Sequence, residues 1–328
     1  MTQKIRIGIL GYGNLGRGVE QAVQQNPDME LVAVFSRREP SSVILANTDI
    51  PVYSLAKVED FTAAIDVMIL CGGSKSDLPE QGPQLAKLFN TVDSFDTHAR
   101  IPEYYESVDQ PAREHGKTAL ISTGWDPGLF SINRVFAEAM LPAGETYTFW
   151  GKGLSQGHSD AVRRIAGVKA GVQYTIPSES AMQRVRNGEM PQLSTREKHT
   201  RECYVVLQEG ASAEEVRSTI VNMPDYFADY DTSVHFIDEA TLKAEHNAMP
   251  HGGFVIRSGV SGAGSKQTIE YSLALQSNPE FTSSVLVAYA RAVYRLNRLG
   301  DIGAKTVFDI APGLLSAKSP MQLRKELL

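Results

Sequence analysis

Two cysteines in a chain of 328 residues are too few to staple a fold. Both, Cys71 and Cys203, lie in or beside apolar strand-like segments, so they read as buried thiols rather than as a disulfide or a metal pair. Basic stretches of the kind that track a phosphodiester backbone are missing, and the formal net charge is −6, which sets nucleic acid aside as a partner. No apolar run approaches the ~20 residues that cross a bilayer, and the first residues enter a strand pattern rather than a signal peptide. The expectation is therefore a soluble, cytoplasmic protein that does not meet a membrane. Repeats and low-complexity stretches are absent too. The length suggests two domains, with apolar content ample for their cores.

What the chain does have is a fingerprint at its start. An apolar run over residues 5–10 breaks into Gly11-Tyr12-Gly13-Asn14-Leu15-Gly16, followed by a helix-compatible stretch over 15–25. The first glycine makes the tight turn, the second lets a pyrophosphate approach the backbone, and the third lets the next helix pack closely. The phosphates then sit on that helix's N-terminal amides. In a site for NAD, the second strand ends in Asp or Glu, placed to accept from the ribose 2′-hydroxyl. Here the second apolar run, 31–35, ends in Ser36-Arg37-Arg38, a hydroxyl and two guanidinium groups suited to a 2′-phosphate. NADP is the cofactor this pairing implies. Taken without its position, the arginine pair would read equally well as solvated surface charge.

Strand-like and helix-like stretches alternate after that: strands at 67–71, 91–95 and 117–122, helices at 80–89 and 103–115. Right-handed crossovers then give a Rossmann-type, doubly wound parallel sheet with the ligand at the strands' carboxyl ends. From about residue 125 the character changes. A helix over 129–140 leads to an aromatic-rich stretch at 147–150 and then to strands near 172–176, 203–207, 254–258 and 268–275, with helices near 178–187, 213–222 and 281–299. This reads as a second α+β domain, for substrate binding and dimerisation, whose open sheet could pair with another subunit. The expected boundaries are 1–124 for the dinucleotide-binding domain, with about 300–328 packing back onto it, and 125–299 for the second.

Four strand ends of the first domain carry polar groups that such a sheet would bring to one crevice. Ser36, Arg37 and Arg38 would take the 2′-phosphate. Cys71-Gly72-Gly73-Ser74 would face the pyrophosphate, and Ser94-Phe95-Asp96 and Thr123-Gly124-Trp125-Asp126-Pro127 the nicotinamide. Asp96 and Asp126 then stand where a substrate meets the ring. Helix capping is the plain alternative, strongest for Asp126, which immediately precedes Pro127. In the second domain, residues 154–161 form a glycine-interrupted polar loop whose amides could hold a carboxylate. Thr175, Arg201 and the turn Met249-Pro250-His251-Gly252-Gly253 add a guanidinium, a hydroxyl and an imidazole, a natural carboxylate clamp. His158, Asp160 and His251 match no zinc spacing, so no metal is expected.

Residues 11–16 with 36–38, Ser122-Thr123-Gly124-Trp125-Asp126-Pro127-Gly128, Phe149-Trp150-Gly151, 154–161, Met223-Pro224-Asp225-Tyr226-Phe227 and 249–253 together resemble the meso-diaminopimelate D-dehydrogenase family. The resemblance runs through nearly the whole chain, and its second-domain motifs are more specific than the glycine fingerprint. It implies a reversible NADP-dependent oxidative deamination at the D-centre of meso-2,6-diaminopimelate, in the diaminopimelate route to lysine. By resemblance, Asp96 and Asp126 meet the D-centre amino group while Trp125 and Trp150 wall the pocket. Amides around Gln156 and Gly157 take the reacting-end carboxylate. Thr175, Arg201 and His251 grip the distal carboxylate, with Asn278 near the distal amino group, and a homodimer is expected. A semialdehyde dehydrogenase or a dihydrodipicolinate-type reductase shares the two-domain plan, but the first needs a reactive thiol. An NADP-sensing regulator would give the Arg201 set no purpose.

Overall fold

The computed structural model describes residues 4–46 and 49–328. The chain divides into two compact units, one comprising the chain up to Ile132 with Pro279–Leu328, the other Asn133–Asn278. The first unit is built on seven parallel strands: β1 (Ile5–Leu10), β2 (Met29–Ser36), β3 (Val52–Ser54), β4 (Val67–Leu70), β5 (Asn90–Asp93), β6 (Thr118–Leu120) and β14 (Gly303–Lys305). Their order, β14-β6-β5-β4-β1-β2-β3, reverses direction between β1 and β4. That reversal leaves a crevice above the carboxyl ends of these two strands, the usual cofactor position in an open α/β sheet.

The helices of this unit are α1 (Asn14–Gln24), α2 (Leu78–Leu85), α3 (Ile101–Glu114), the first turn of α4 (Leu129–Met140), α10 (Asn278–Arg298) from Pro279 onward, and α11 (Pro320–Leu327). The period of two along a strand decides which helix each strand residue meets. Ile5, Ile7 and Ile9 pack with Val19 and Val23 of α1 and Leu286, Ala290 and Val293 of α10. Leu10, Met68 and Leu70 belong to the opposite face, with Leu78 and Leu85 of α2 and Tyr104 and Val108 of α3. A helix at 281–299 was expected in the second domain, yet it covers the first sheet. Its apolar stripe at 286, 289, 290, 293 and 296 specifies a buried face, but a 3.6-residue period does not say which sheet that face covers.

The second unit holds two sheets rather than one. β8 (Gly153–Leu154), β9 (Val168–Pro177), β10 (His199–Leu207) and β11 (Asp231–Phe236) form a mixed sheet in the order β11-β10-β9-β8. β7 (Gly144–Trp150), β12 (His251–Ser261) and β13 (Ser265–Leu275) form an antiparallel sheet in the order β13-β12-β7. Helices α5 (Gln156–Arg163), α6 (Glu179–Arg186), α7 (Thr195–Lys198), α8 (Ala213–Val221) and α9 (Glu239–Glu245) accompany them. The segment read as a polar loop at 154–161 is largely helix α5. Ser155 caps it by accepting from the His158 amide, and a serine followed by polar residues gives too little apolar period to announce a helix.

Candidate active site

Each glycine of the fingerprint has a visible geometric reason. Gly11 sits at φ +93°, in the left-handed region, and its amide donates to the Phe35 carbonyl at 2.8 Å. A side chain on Gly13 would meet nothing, so that position is open, whereas one on Gly16 would collide with the Gly11 carbonyl. A cavity of about 350 Å³ lies beside them, lined by Gly11, Tyr12, Gly13, Asn14 and Arg17 on one side, Ser36, Arg37 and Arg38 on another, and Cys71, Gly72 and Asp77 on a third. Leu15 and Gly16 continue α1 behind it.

The end of β2 carries no carboxylate, and its two arginines are held in different ways. Arg38 donates from Nη2 to the Tyr12 carbonyl at 2.5 Å and from its amide to Ser36 Oγ at 3.0 Å, which ties the basic pair to the glycine turn. Arg37 Nη1 pairs with Asp77 Oδ1 at 2.8 Å, while Asp77 Oδ2 accepts from the Gly73 amide at 3.0 Å. This donor set fits the 2′-phosphate of NADP, a dianion that an Asp or Glu at the same place would repel. Asp77, which sequence reading passed over, joins the basic pair to the Gly72-Gly73 turn.

Next along the sheet, the ends of β4 and β5 are stitched together by Ser74 Oγ, which accepts from the Asp96 amide at 3.1 Å. Asp96 is exposed, and its carboxylate caps no helix: the short helix that follows has Thr97 at its cap position and no capping side chain. Asp126 is not an N-cap either. Helix α4 begins three residues later, at Leu129, because Trp125 and Gly128 form a β-bridge that closes a turn over Asp126 and Pro127. Trp125 is buried with its ring edge-on to Phe130 at 5.2 Å, and Gly124 accepts from the Leu129 amide. Thr123 is buried and Ser94 is half-buried, while Phe95 stacks on Tyr104 at 4.2 Å.

The candidates of the second unit converge on one row of its mixed sheet. Gly153, Thr175, Arg201 and Thr232 stand side by side across β8, β9, β10 and β11. His251 packs its ring on Gly153, where a Cβ would lie 2.5 Å from the imidazole, and its Nδ1 accepts from the Gly252 amide at 2.8 Å. Gln156 reaches Met249 Sδ at 3.3 Å, and the Asn278 amide donates to the Met249 carbonyl at 3.0 Å. Trp150 pairs with Gly253 across β7 and β12. Gly157 lies exposed in the first turn of α5, where backbone amides attract an anion.

Arg201 is the centre of this row. It is 6% exposed, Nη1 donates to Thr175 Oγ1, Nε makes no hydrogen bond, and the guanidinium lies 3.9 Å from the centroid of the Tyr230 ring. Among the described residues no carboxylate pairs with it. Burial lowers its pKa, partly opposed by Tyr230. Two imidazoles nearby are kept neutral: burial first, then the Arg201 charge, pushes His158 down to about 4, and the same causes with Lys198 push His199 down to about 3. A buried, uncompensated guanidinium among neutral groups is complementary to a carboxylate. His199, not anticipated from sequence, accepts from the Trp150 amide through Nε2 at 2.8 Å and stacks on its ring at 5.3 Å. Its spacing of two residues from Arg201 along a strand was the available signal.

Thiol chemistry has no support here. Burial pushes the Cys203 thiol up to about 12 and the Cys71 thiol higher still, so neither is poised as a nucleophile. His158, Asp160 and His251 do not gather: His158 bonds Ser155 Oγ, Asp160 pairs with Arg163, and no group of metal-ligating side chains occurs among the described residues.

Comparison with known proteins agrees with this layout. The family described as diaminopimelic acid dehydrogenase C-terminal domain matches residues 124–277. A meso-diaminopimelate D-dehydrogenase from Ureibacillus thermosphaericus is 66% identical over 325 residues, 99% of either chain. The chain belongs to the meso-diaminopimelate D-dehydrogenase family. Among solved structures, the Corynebacterium glutamicum DAP dehydrogenase in complex with DAP superposes with a TM-score of 0.92, at 46% identity and 100% coverage of both chains. An engineered D-amino acid dehydrogenase bound to NADP+ gives a TM-score of 0.86, at 45% identity, covering 99% of this chain and 100% of the other. These relatives make the family an oxidoreductase family, and no helix among the described residues of this member is long and apolar enough to cross a membrane.

Proposed function

We infer that the chain catalyses the reaction of its family, the reversible NADP-dependent oxidative deamination of meso-2,6-diaminopimelate at its D-centre, with uptake of one water, to L-2-amino-6-oxopimelate, ammonia, NADPH and a proton. The observation that carries the assignment to this substrate is Arg201, a buried guanidinium whose Nε makes no hydrogen bond, beside Thr175 in the row whose Gly153 end is packed by His251. A substrate with a second, distal carboxylate supplies what that group lacks, and the distal amino group then falls to Asn278. The first-turn amides of Gln156 and Gly157 hold the reacting-end carboxylate, with Trp125 and Trp150 as apolar walls. An orientation of the meso compound that leaves one of its carboxylate or amino groups buried and unpaired costs ~1–3 kcal/mol for each such group. That penalty selects the D-centre.

NADP supplies, when bound, the acceptor for the α-hydrogen and its electron pair. Ser36, Arg37 and Arg38 hold the 2′-phosphate, and Gly11 to Gly16 with Gly72 to Ser74 hold the pyrophosphate. The chain's own chemical task is the proton. The α-carbon gives up hydride only when its amine is neutral, because the nitrogen lone pair must push the electrons. Asp96 and Asp126 bind the ammonium and pass its proton on, directly or through a water they hold. The enzyme works in the cytoplasm as a homodimer. The edge strand β13, eleven residues long and largely exposed, offers the unpaired backbone groups that a second copy can use.

The deciding experiment is an absorbance assay of NADPH formation with meso-, LL- and DD-diaminopimelate, each with NADP and with NAD. Turnover of the meso isomer with NADP supports the assignment. Cofactor binding without turnover of any isomer overturns it.

A further inference from the structure

Asp93, at the carboxyl end of β5, is 1% exposed and takes no part in the chemistry described so far. The register between β5 and β6 ends with Val92 beside Leu120. Beyond that point the two strand ends part, and Asp93 replaces the missing ladder. Its backbone carbonyl accepts from the Thr123 amide at 2.8 Å. Its side-chain Oδ1 accepts from the Phe95 amide at 3.0 Å and also from the Ser122 amide at 3.0 Å. The other oxygen, Oδ2, accepts from the Tyr104 hydroxyl at 2.7 Å, and Tyr104 in turn stacks on Phe95. One carboxylate oxygen therefore receives one amide from the loop that carries Asp96 and one from the loop that carries Trp125 and Asp126.

Two details show that this is more than a satisfied core group. Ser122 stands at φ +54°, a left-handed conformation that a residue with a side chain adopts at a penalty, so its amide needs a partner that holds it there. On its other side the Asp96 loop is held by Ser74, whose Oγ accepts from the Asp96 amide. The Asp93 side chain spans the two strand ends and adds to the backbone bond from the Thr123 amide to the Asp93 carbonyl. Burial pushes the Asp93 carboxyl up to about 6, against the pull of Phe95, Tyr104 and Ser122. No charged side chain enters that balance, and Tyr104, itself pushed up by burial, is the titratable group that faces it.

We propose that Asp93 is a positioning residue for the deamination: through Oδ1 it fixes the separation of the loop bearing Asp96 from the loop bearing Trp125 and Asp126. The proposal rests on reading Asp96 and Asp126 as the groups that meet the substrate amine. The role belongs to an oxygen acceptor at that point, not to charge, so asparagine should serve and a leucine of similar shape should not.

The test compares Asp93→Asn and Asp93→Leu in the full-length enzyme, reading kcat for meso-diaminopimelate and the dissociation constant for NADP separately. A displacement of about 1 Å in a catalytic group lowers turnover by about 10²-fold, and that is the fall in kcat expected for Asp93→Leu. NADP affinity, held chiefly at the phosphates by Gly11 to Gly16 and by Arg37 and Arg38, should fall by less than about tenfold although both loops also face the nicotinamide, and Asp93→Asn should recover kcat to within about fivefold by keeping one oxygen acceptor. Unchanged kcat in Asp93→Leu overturns the proposal. So does a loss of NADP binding in step with kcat, which would make Asp93 a general structural group. If Asp93→Leu does not fold, amide exchange decides: the Phe95 and Ser122 amides should exchange as slowly as those of Val92 and Leu120 in the wild type and in Asp93→Asn, and fast exchange in the wild type refutes the latch. Asp96→Asn and Asp126→Asn separate the two layers. Full activity in both discards the reading of the site, whereas activity lost in them but kept in Asp93→Leu discards only the role of Asp93.

Discussion

Replacing Arg201 with methionine should make the empty protein more stable and the enzyme less selective, and the two effects share one cause. The guanidinium is 6% exposed, donates to Thr175, lies against Tyr230, and pairs with no carboxylate among the described residues. Exchanging a buried ionic group for an apolar one of similar volume is neutral to stabilising by about 1–4 kcal/mol. In a unit of this size each kcal/mol moves the midpoint by about 2–4 °C, so a rise of several degrees is expected in Arg201→Met. The opposite holds with substrate present. Truncating one partner of a buried charge pair loses about 2–5 kcal/mol, which is roughly 30- to several-thousand-fold in kcat/KM for meso-diaminopimelate. D-amino acids without a distal carboxylate never used that pair, so their kcat/KM should hold or rise. Differential scanning fluorimetry with and without substrate, alongside NADPH absorbance on both substrate types, measures all of this. A lower midpoint together with an equal loss on every substrate would refute the reasoning and make Arg201 a structural residue.

Acid should destabilise the second unit through its histidines. His158 and His199 have folded pKa values near 4 and 3, below the unfolded value of about 6.5, so the unfolded chain takes up protons first and stability falls as pH drops below about 6.5. By pH 5 each contributes a loss of about 2 kcal/mol. Thermal midpoints between pH 7.5 and 5 should show this, and His199→Gln, which keeps an acceptor for the Trp150 amide, should flatten the slope; an unchanged slope would speak against it. Arg37→Ala and Arg38→Ala should each raise KM for NADP by about 10- to 100-fold, the worth of a charged hydrogen bond, and leave NAD kinetics nearly unchanged. Equal losses with both cofactors would place the arginines elsewhere. Because two carboxylates beside an ammonium favour its charged form, deamination should accelerate from neutral to alkaline pH, and a flat kcat/KM profile would remove Asp96 and Asp126 from that role.

The cofactor side was the most legible part of the sequence because its chemistry is written in consecutive residues. Gly11 and Gly16 each answer a backbone constraint within one turn, Gly13 leaves the space beside them open, and Ser36-Arg37-Arg38 follows directly on a buried strand. In the second unit the residue types of Thr175, Arg201 and His251 suggest a carboxylate clamp, but not the row that they share. Its carboxylate row joins residues from β8, β9, β10 and β11, whose sequence separations encode nothing until the strands pair. Helix placement failed for a related reason. Residues 286, 289, 290 and 293 prescribe a buried stripe, but both units offer sheets that could cover it. For Asp126 the sequence leaves capping and a site role both open: Asp before Pro is a common helix start, yet the Trp125–Gly128 bridge delays the helix to Leu129.

Those failures are informative about how the site is made. Where binding needs only backbone amides and a bend, a short run of glycine specifies it, and the sequence states the result locally. Where binding needs a charge kept out of water, the charge must first be buried by a folded sheet, and its partner must come from outside the chain. Arg201 meets both conditions: Thr175, Tyr230 and two neutral imidazoles surround it, and none neutralises it. The fold thereby carries an electrostatic penalty when empty that a distal carboxylate relieves, and the size of that relief separates a diamino diacid from a simple D-amino acid. The penalty and the specificity are one quantity. A variant that lost the first while keeping the second would break the physical link between them.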